Sequence, residues 1–151
     1  MYELKHRWNQ RTQTVADLIE PNKSIIDIGC ADKDFLNFYK TTDYIGIDKT
    51  DKADIQIDLD IELYTPNKKY DYCLFLGVLE YLENPNKVIN FYKQYSDTSI
   101  ILFSNKTTKK KIWTNFFTET EKTKLVSKHF YDFTIVSNPS FVIYVCSNIR
   151  T

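Results

Sequence analysis

Residues 23–38, KSIIDIGCADKDFLNF, decide how the rest of the chain reads. Ser24 to Ile28 is a short apolar run rich in β-branched side chains, a strand by type and by length. Gly29-Cys30-Ala31 bends the chain. Asp32, Lys33 and Asp34 then open a pattern in which Phe35, Leu36, Phe38 and Tyr39 recur at helical spacing. Strand, tight small-residue turn and helix start together bring backbone N–H groups towards a bound nucleotide. Asp48, closing the next apolar run, follows Asp27 by 21 positions (48 − 27), near the ribose-binding interval of dinucleotide folds. Of the three glycines usual in such a turn only Gly29 is present, with Ala31 and Lys33 in the other two places. These residues define a nucleotide-binding α/β turn and leave its ligand open.

Working outward, residues 8–20 predict a helix with Trp8, Val15, Leu18 and Ile19 on one side, ended by Pro21-Asn22. Tyr44–Ile47 is a second strand leading into Asp48, and Asp54–Leu59 alternates as a third, with Ile55, Ile57 and Leu59 on one side. Only Lys49 to Ala53 links them, whereas parallel neighbours ordinarily need a crossover of about a dozen residues. No helix fits there, and an exposed apolar strip or a subunit contact is expected beside the link. Tyr70–Leu76 is the most hydrophobic strand and is expected at the centre of the sheet. Asn84-Pro85 starts a helix carrying Val88, Ile89 and Tyr92, and Ser99–Phe103 is a fifth strand. Thr118-Glu119-Thr120-Glu121 fits a capping box for a helix reaching His129. Tyr131–Ser137 and Phe141–Cys146 are separated only by Asn138-Pro139-Ser140, too short for a crossover, so this pair is antiparallel. The result is an open, mostly parallel α/β sheet closed by a hairpin.

A chain of 151 residues with 42% hydrophobic and 26% charged side chains reads as one globular domain, residues 1–151. Twenty basic and twenty acidic side chains cancel, which argues against nucleic acid as the main partner. The N-terminus lacks the apolar stretch of a signal peptide, and no run approaches the ~18 apolar residues of a membrane span. Cys30, Cys73 and Cys146 are far apart and set in apolar segments, as small buried hydrophobes of a reducing cytoplasm would be, with no metal site implied.

In this order the elements resemble the class I S-adenosylmethionine-dependent methyltransferases, over nearly the whole chain from residue 8 to Cys146. Ile25-Ile26-Asp27-Ile28-Gly29-Cys30-Ala31 is similar to the family's first motif, and Tyr44-Ile45-Gly46-Ile47-Asp48 to its second. Gln56-Ile57-Asp58-Leu59-Asp60 resembles the third, and Tyr70-Asp71-Tyr72 through Leu76-Gly77-Val78-Leu79-Glu80-Tyr81 the strand and loop that close over the methionine part. The compact length and the Asp58-Leu59-Asp60 run are closest in character to small members such as the methionine-biosynthesis W-type proteins.

The resemblance implies a Rossmann-like seven-stranded sheet with helices on both faces, and S-adenosylmethionine as cofactor, with S-adenosylhomocysteine as product. Asp27, Gly29, Cys30, Ala31, Asp48, Lys49, Asp58, Leu59, Leu76 and Gly77 are the implied cofactor contacts. Asp48 would take the ribose hydroxyls and Asp58 the adenine amino group, with Asp54 and Asp60 competing for the latter role. Lys33 either reaches the cofactor's carboxylate or points into water. The implied acceptor is a small molecule or a glycan, methylated on oxygen, with a homodimer or another protein completing its site.

Glu80 and Tyr81 stand where relatives place catalytic or substrate-contacting groups. A phenol is a poor base near neutral pH, so Tyr81 orients the acceptor or packs; Glu80 is a base or a helix cap. His6 and His129 read as structural or solvent-facing, the latter near a helix C-terminus that favours a cation. The four lysines of residues 106–111 form a solvated loop or bind a phosphate or acidic partner, and Trp113, Phe116 and Phe117 line an acceptor pocket or pack into the core. Two rivals accompany the enzyme: a methyltransferase-fold binding or regulatory module without turnover, and a dinucleotide-dependent oxidoreductase.

Overall fold

The computed structural model describes residues 2–106 and 109–148, with the side chains of residues 2–7 outside the description; His6 therefore lies outside the described side chains, as Thr107 and Thr108 of the lysine stretch lie outside the described residues. Seven strands form one sheet in the order β3-β2-β1-β4-β5-β7-β6. They are β1 (Ile25–Ile28), β2 (Tyr44–Asp48), β3 (Ile55–Gln56), β4 (Tyr70–Leu76), β5 (Ser96–Ser104), β6 (Asp132–Ser137) and β7 (Phe141–Ser147). β1 to β5 are parallel, while β7 runs antiparallel to both β5 and β6. The order reverses between β1 and β4, so the loops leaving their C-terminal ends diverge and open a crevice.

Three α-helices cover the two faces: α1 (Tyr2–Asp17), α2 (Pro85–Tyr92) and α3 (Glu119–His129). Val88, Ile89 and Tyr92 of α2 and Leu125 and Val126 of α3 pack with Ile26, Ile28, Phe75 and Phe103 on one face. Val15 and Ala16 of α1, with Ile19, Phe35 and Tyr39, pack against Ile25, Leu74 and Ile100 on the other. Local signals set the helix ends as the sequence suggests. Asn84 accepts the Lys87 N–H ahead of Pro85, and Thr118 accepts the Glu121 N–H.

Four elements differ from expectation, β5 by starting at Ser96 rather than Ser99. α1 begins at residue 2 and ends at Asp17, earlier at both ends than the 8–20 reading. The expected helix after Asp32 shrinks to a 3-10 turn, Asp34–Asn37, because Phe35 and Tyr39 turn directly into the α1 face and stack on each other at 5.4 Å. The third strand is only Ile55–Gln56 rather than 54–59.

That short strand also explains how β2 and β3 run parallel without a helix between them. β3 pairs only with the last residues of β2, Ile47 with Ile55 and Asp48 with Gln56. The chain needs to fall back by about two residues, roughly 7 Å, and not by a strand length. Asp54 anchors the return, its N–H donating to Gly46 O at 3.0 Å and its Oδ2 accepting the Gly46 N–H at 2.8 Å. The expected apolar strip is largely absent. The connection from β3 to β4 folds Leu59, Leu63 and Tyr64 against the core in place of a helix, leaving Ile61 exposed at 79%. Tyr92 pins that connection, its hydroxyl accepting the Tyr64 N–H at 2.9 Å.

Candidate donor crevice and adjoining cleft

The crevice at the switch point has a volume of about 320 Å³. β1 and its turn supply Asp27, Gly29, Cys30 and Ala31, and β2 supplies Asp48 and Lys49. Asp58 and Leu59 come from the segment after β3, Leu76 and Gly77 from the end of β4. All ten expected contact residues thus share one cavity. Its apolar walls suit an adenosyl group, and Asp27, Asp48 and Asp58, three of its five aspartates, are acceptors for hydroxyls and cations.

The turn itself is tighter than the glycine pattern alone suggests. Gly29 has φ +73°, and a Cβ there would stand 2.2 Å from Val78 Cγ2, so only glycine fits. Ala31 and Lys33, at the other two glycine positions of the pattern, also take the left-handed conformation, at φ 47° and 61°. The amides of this turn are already engaged: Gly29 and Cys30 donate to Ile47 O at 2.8 and 3.2 Å, and Ala31 to Asp48 Oδ2 at 2.8 Å. A ligand is therefore met by the side chains and carbonyls around the turn rather than by free N–H groups. Lys33 neither points into water nor faces the crevice; its Nζ lies 3.0 Å from Asp54 Oδ1. Asp54 is thereby committed to structure and does not line the crevice, whereas Asp58 and Asp60 both do.

Asp27 is buried, 3% exposed. Burial lifts its carboxyl to about 7, against the stabilising hydroxyl of Tyr44, which donates to it at 2.7 Å. Asp48 uses both oxygens, Oδ2 as above and Oδ1 accepting the Lys49 N–H at 2.6 Å. Oδ1 also takes the Thr50 N–H at 3.3 Å, while Oδ2 keeps a second lone pair that a ribose hydroxyl can use. Asp58 Oδ1 accepts the Asp60 N–H at 2.9 Å. The three cysteines are buried and free, and burial pushes each thiol up, which makes them packing groups and not nucleophiles.

The sequence reading included this helix but missed the part α1 takes in the site. Trp8, Asn9, Arg11 and Thr12 present one helical face (i, i+1, i+3, i+4) to the crevice, beside Asp34 and Phe35. Arg11 crosses its boundary: a Cβ on Gly77 would lie 3.0 Å from Arg11 Nη1, and the guanidinium stacks over Trp8 at 4.2 Å. The available signal was the spacing of Trp8, Arg11, Thr12 and Val15, which puts a cation at the edge of a buried face.

Beyond Gly77 lies a second cleft of about 200 Å³. Trp8, Arg11, Gly77 and Tyr81 border both cavities. Glu80 lines only the second, whereas Tyr81, the other expected catalytic residue, stands at the junction itself. Glu80 is 4% exposed; its Oε2 accepts the Ser104 N–H at 3.4 Å and its Oε1 has no partner among the described residues. It makes no cap to its own short turn, Leu79–Tyr81. Burial raises its carboxyl above the usual range, opposed by Arg11 and Lys122. Asn115 holds this turn, donating from Nδ2 to Leu79 O and Leu82 O at 3.0 and 2.5 Å, while its own N–H meets Glu80 O at 2.9 Å.

Of the aromatic stripe, Trp113 lines the second cleft whereas Phe117 packs edge-on against Phe103 at 5.4 Å. His129 is structural: it is buried, bonds Asn86 Oδ1 at 2.8 Å, and burial pulls it down to about 4, so the expected cation at this helix end is a neutral ring.

A seven-stranded sheet of this order, with an acid-ended β2 and a crevice at the β1/β4 switch point, is the class I methyltransferase architecture. A sequence profile of the methyltransferase-domain family matches residues 2–119, and the chain belongs to that family. Among curated proteins none matches. Similar solved structures include an S-adenosylmethionine-dependent methyltransferase of Thermotoga maritima, described as a possible histamine N-methyltransferase (13% identity, 91% of this chain and 88% of that one, TM-score 0.70). A second comes from Aquifex aeolicus (10% identity, 91% and 89%, TM-score 0.68). A third is the magnesium protoporphyrin IX methyltransferase of Synechocystis with bound S-adenosylhomocysteine (16% identity, 91% and 83%, TM-score 0.57). Family membership makes this an S-adenosylmethionine-dependent methyltransferase, as the motifs led one to expect. Among the described residues no helix is long and apolar enough to cross a membrane.

Proposed function

We propose that the protein methylates a small molecule or glycan on oxygen, holding S-adenosylmethionine in the crevice and the acceptor in the cleft beyond Gly77. The observation that carries this reading is the junction: two cavities share Trp8, Arg11, Gly77 and Tyr81, so a donor in one and an acceptor in the other meet there. Bound there, S-adenosylmethionine would supply an already activated methyl group for the acceptor oxygen, its own sulfur being left as the thioether.

The chain's task is mainly to fix positions. Asp48 binds the ribose hydroxyls, Asp58 the adenine amino group, and Asp27 the donor's ammonium, with Leu59, Leu76 and Cys30 as apolar walls. Tyr81, 38% exposed at the junction, orients the acceptor. Glu80 takes the hydroxyl proton on its unpartnered Oε1; a carboxyl raised by burial is better matched to proton transfer near neutral pH. Ser104, Asn105, Lys106, Lys110, Trp113 and residues 139–141 of this same chain wall the cleft, so the reading requires no second subunit. Three free, buried cysteines support a cytoplasmic setting.

The alternative, a binding module without turnover, draws support from Ala31 and Lys33 at glycine positions. Calorimetry with S-adenosylhomocysteine and NAD, followed by transfer of a labelled methyl group into a metabolite extract, separates the readings. Binding of the first ligand alone with a labelled product supports the enzyme. Binding without any labelled product supports the module, and NAD binding favours the oxidoreductase.

A further inference from the structure

The second cleft carries an imbalance of charge that the methyl-transfer reading does not use. Its charged lining is Arg11, Lys106 and Lys110 against the single carboxyl of Glu80. Among the described residues none of the three cations stands in an ion pair. Arg11 and Lys110 rest on aromatic faces instead, over Trp8 at 4.2 Å and Trp113 at 5.7 Å. Both rings line the same cavity, and Trp113 is buried.

Other positive groups in the neighbourhood are spoken for. Lys122, also buried, donates to Ser104 O at 2.7 Å and Asn105 Oδ1 at 3.2 Å. The three lining cations have no such outlet, and burial together with the neighbouring Lys106 and Arg11 holds the Lys110 ammonium below its ordinary value. Opposite them, the Glu80 Oε1 is buried without a partner. The orphaned, buried carboxylate oxygen is a cost in the empty protein, exposed Lys106 and half-buried Lys110 stand beside it with Arg11, and one molecule can engage both the oxygen and the cations.

Resting on the assignment of this cleft to the acceptor, we infer that the acceptor is a small hydroxyl compound bearing an anionic group, a carboxylate or a phosphate. The anion sits between Lys106, Lys110 and Arg11, where Arg11 offers a fork of donors and the lysines point charges. An aromatic or flat body lies along Trp113 and Tyr81. The hydroxyl then faces Glu80 Oε1 at the junction with the donor crevice. A volume of about 200 Å³, less than the 300–1,000 Å³ of sites for drug-sized ligands, limits the acceptor to a compact molecule and excludes an extended glycan from the cleft itself.

The test uses the whole chain with saturating S-adenosylhomocysteine and three probes: 4-hydroxybenzoate, 4-hydroxyphenyl phosphate and the neutral 4-hydroxybenzamide. The expected result is at least tenfold tighter calorimetric binding of one or both anions than of the amide. In the double variant Lys106→Gln and Lys110→Gln, exposed or half-exposed positions outside the donor crevice, that preference falls by tenfold while S-adenosylhomocysteine binds unchanged. The tighter anion tells phosphate from carboxylate. Equal binding of the three probes, no binding of any, or a preference that survives the double variant overturns the proposal. Failure of S-adenosylhomocysteine to bind is scored separately: it overturns the donor assignment, whereas the anion preference is read against the amide regardless.

Discussion

The two cavities that meet at Gly77 satisfy their polar groups in opposite ways. In the donor crevice Asp27 is met by Tyr44, Asp48 by three backbone amides, and Asp58 by the Asp60 N–H. In the proposed acceptor cleft Glu80 Oε1 has no partner among the described residues, and three cations outside any ion pair face that one carboxyl. One site is pre-organised by its own backbone, which suits a ligand common to a whole family. The other is left unbalanced until something enters, which suits a ligand particular to this protein.

The sharpest way to break the first half of that contrast is at the turn. Gly29→Ala forces a side chain into the left-handed region and against Val78, and should cost about 3 kcal/mol or more of stability, read as a lower urea midpoint. An unchanged midpoint would mean that the turn is not the rigid wall described here.

Asp27 gives a pH test. Its folded value is raised from 3.8 to about 7, so the folded protein holds more protons than the unfolded chain across that interval. Its contribution therefore weakens as pH rises from 3.8 to about 7, by up to ~1.4 kcal/mol per pH unit. His129, lowered from 6.5 to about 4, acts in the opposite sense: its contribution is present above 6.5 and is lost as pH falls towards about 4. The informative quantity is the difference between the wild type and Asp27→Asn, whose stability should decline less as pH rises. Parallel curves would place Asp27 outside the buried core of the crevice.

Asp48→Ala should weaken S-adenosylhomocysteine binding by at least ~1 kcal/mol, about fivefold in Kd, by calorimetry. Unchanged affinity removes the ribose role. The smallest effect is expected at Ala31. Glycine there relieves about 1 kcal/mol of left-handed strain, offset in part by greater freedom of the unfolded chain, for a net gain of ~0.5 kcal/mol in thermal unfolding. A loss of stability would show that the Ala31 methyl group packs usefully.

The same contrast marks what could be read from the residues alone. The apolar runs of β1 and β2, the Gly29 turn, Asp48 at a strand end and the Thr118 cap are local patterns, and each lies where its local chemistry put it. The helix after Asp32 was misread because Phe35 and Tyr39 satisfy a helical period while serving a single turn packed on α1. Arg11 and the cleft around Glu80 were hidden for a different reason. Their neighbours come from α1, the end of β5, residues 110–113 and the β6–β7 hairpin, so only tertiary folding brings them together. Lys33 shows the same limit, since its partner Asp54 lies 21 positions away.

The most direct test of the two-cavity account is a crystal structure of the protein grown with S-adenosylhomocysteine. The account predicts density in the crevice, with the ribose on Asp48, the adenine near Asp58 and the sulfur turned towards Gly77 and Tyr81. Density on the far side of Gly77 among Glu80, Lys110 and Trp113, or a crevice closed by the protein's own side chains, would contradict it.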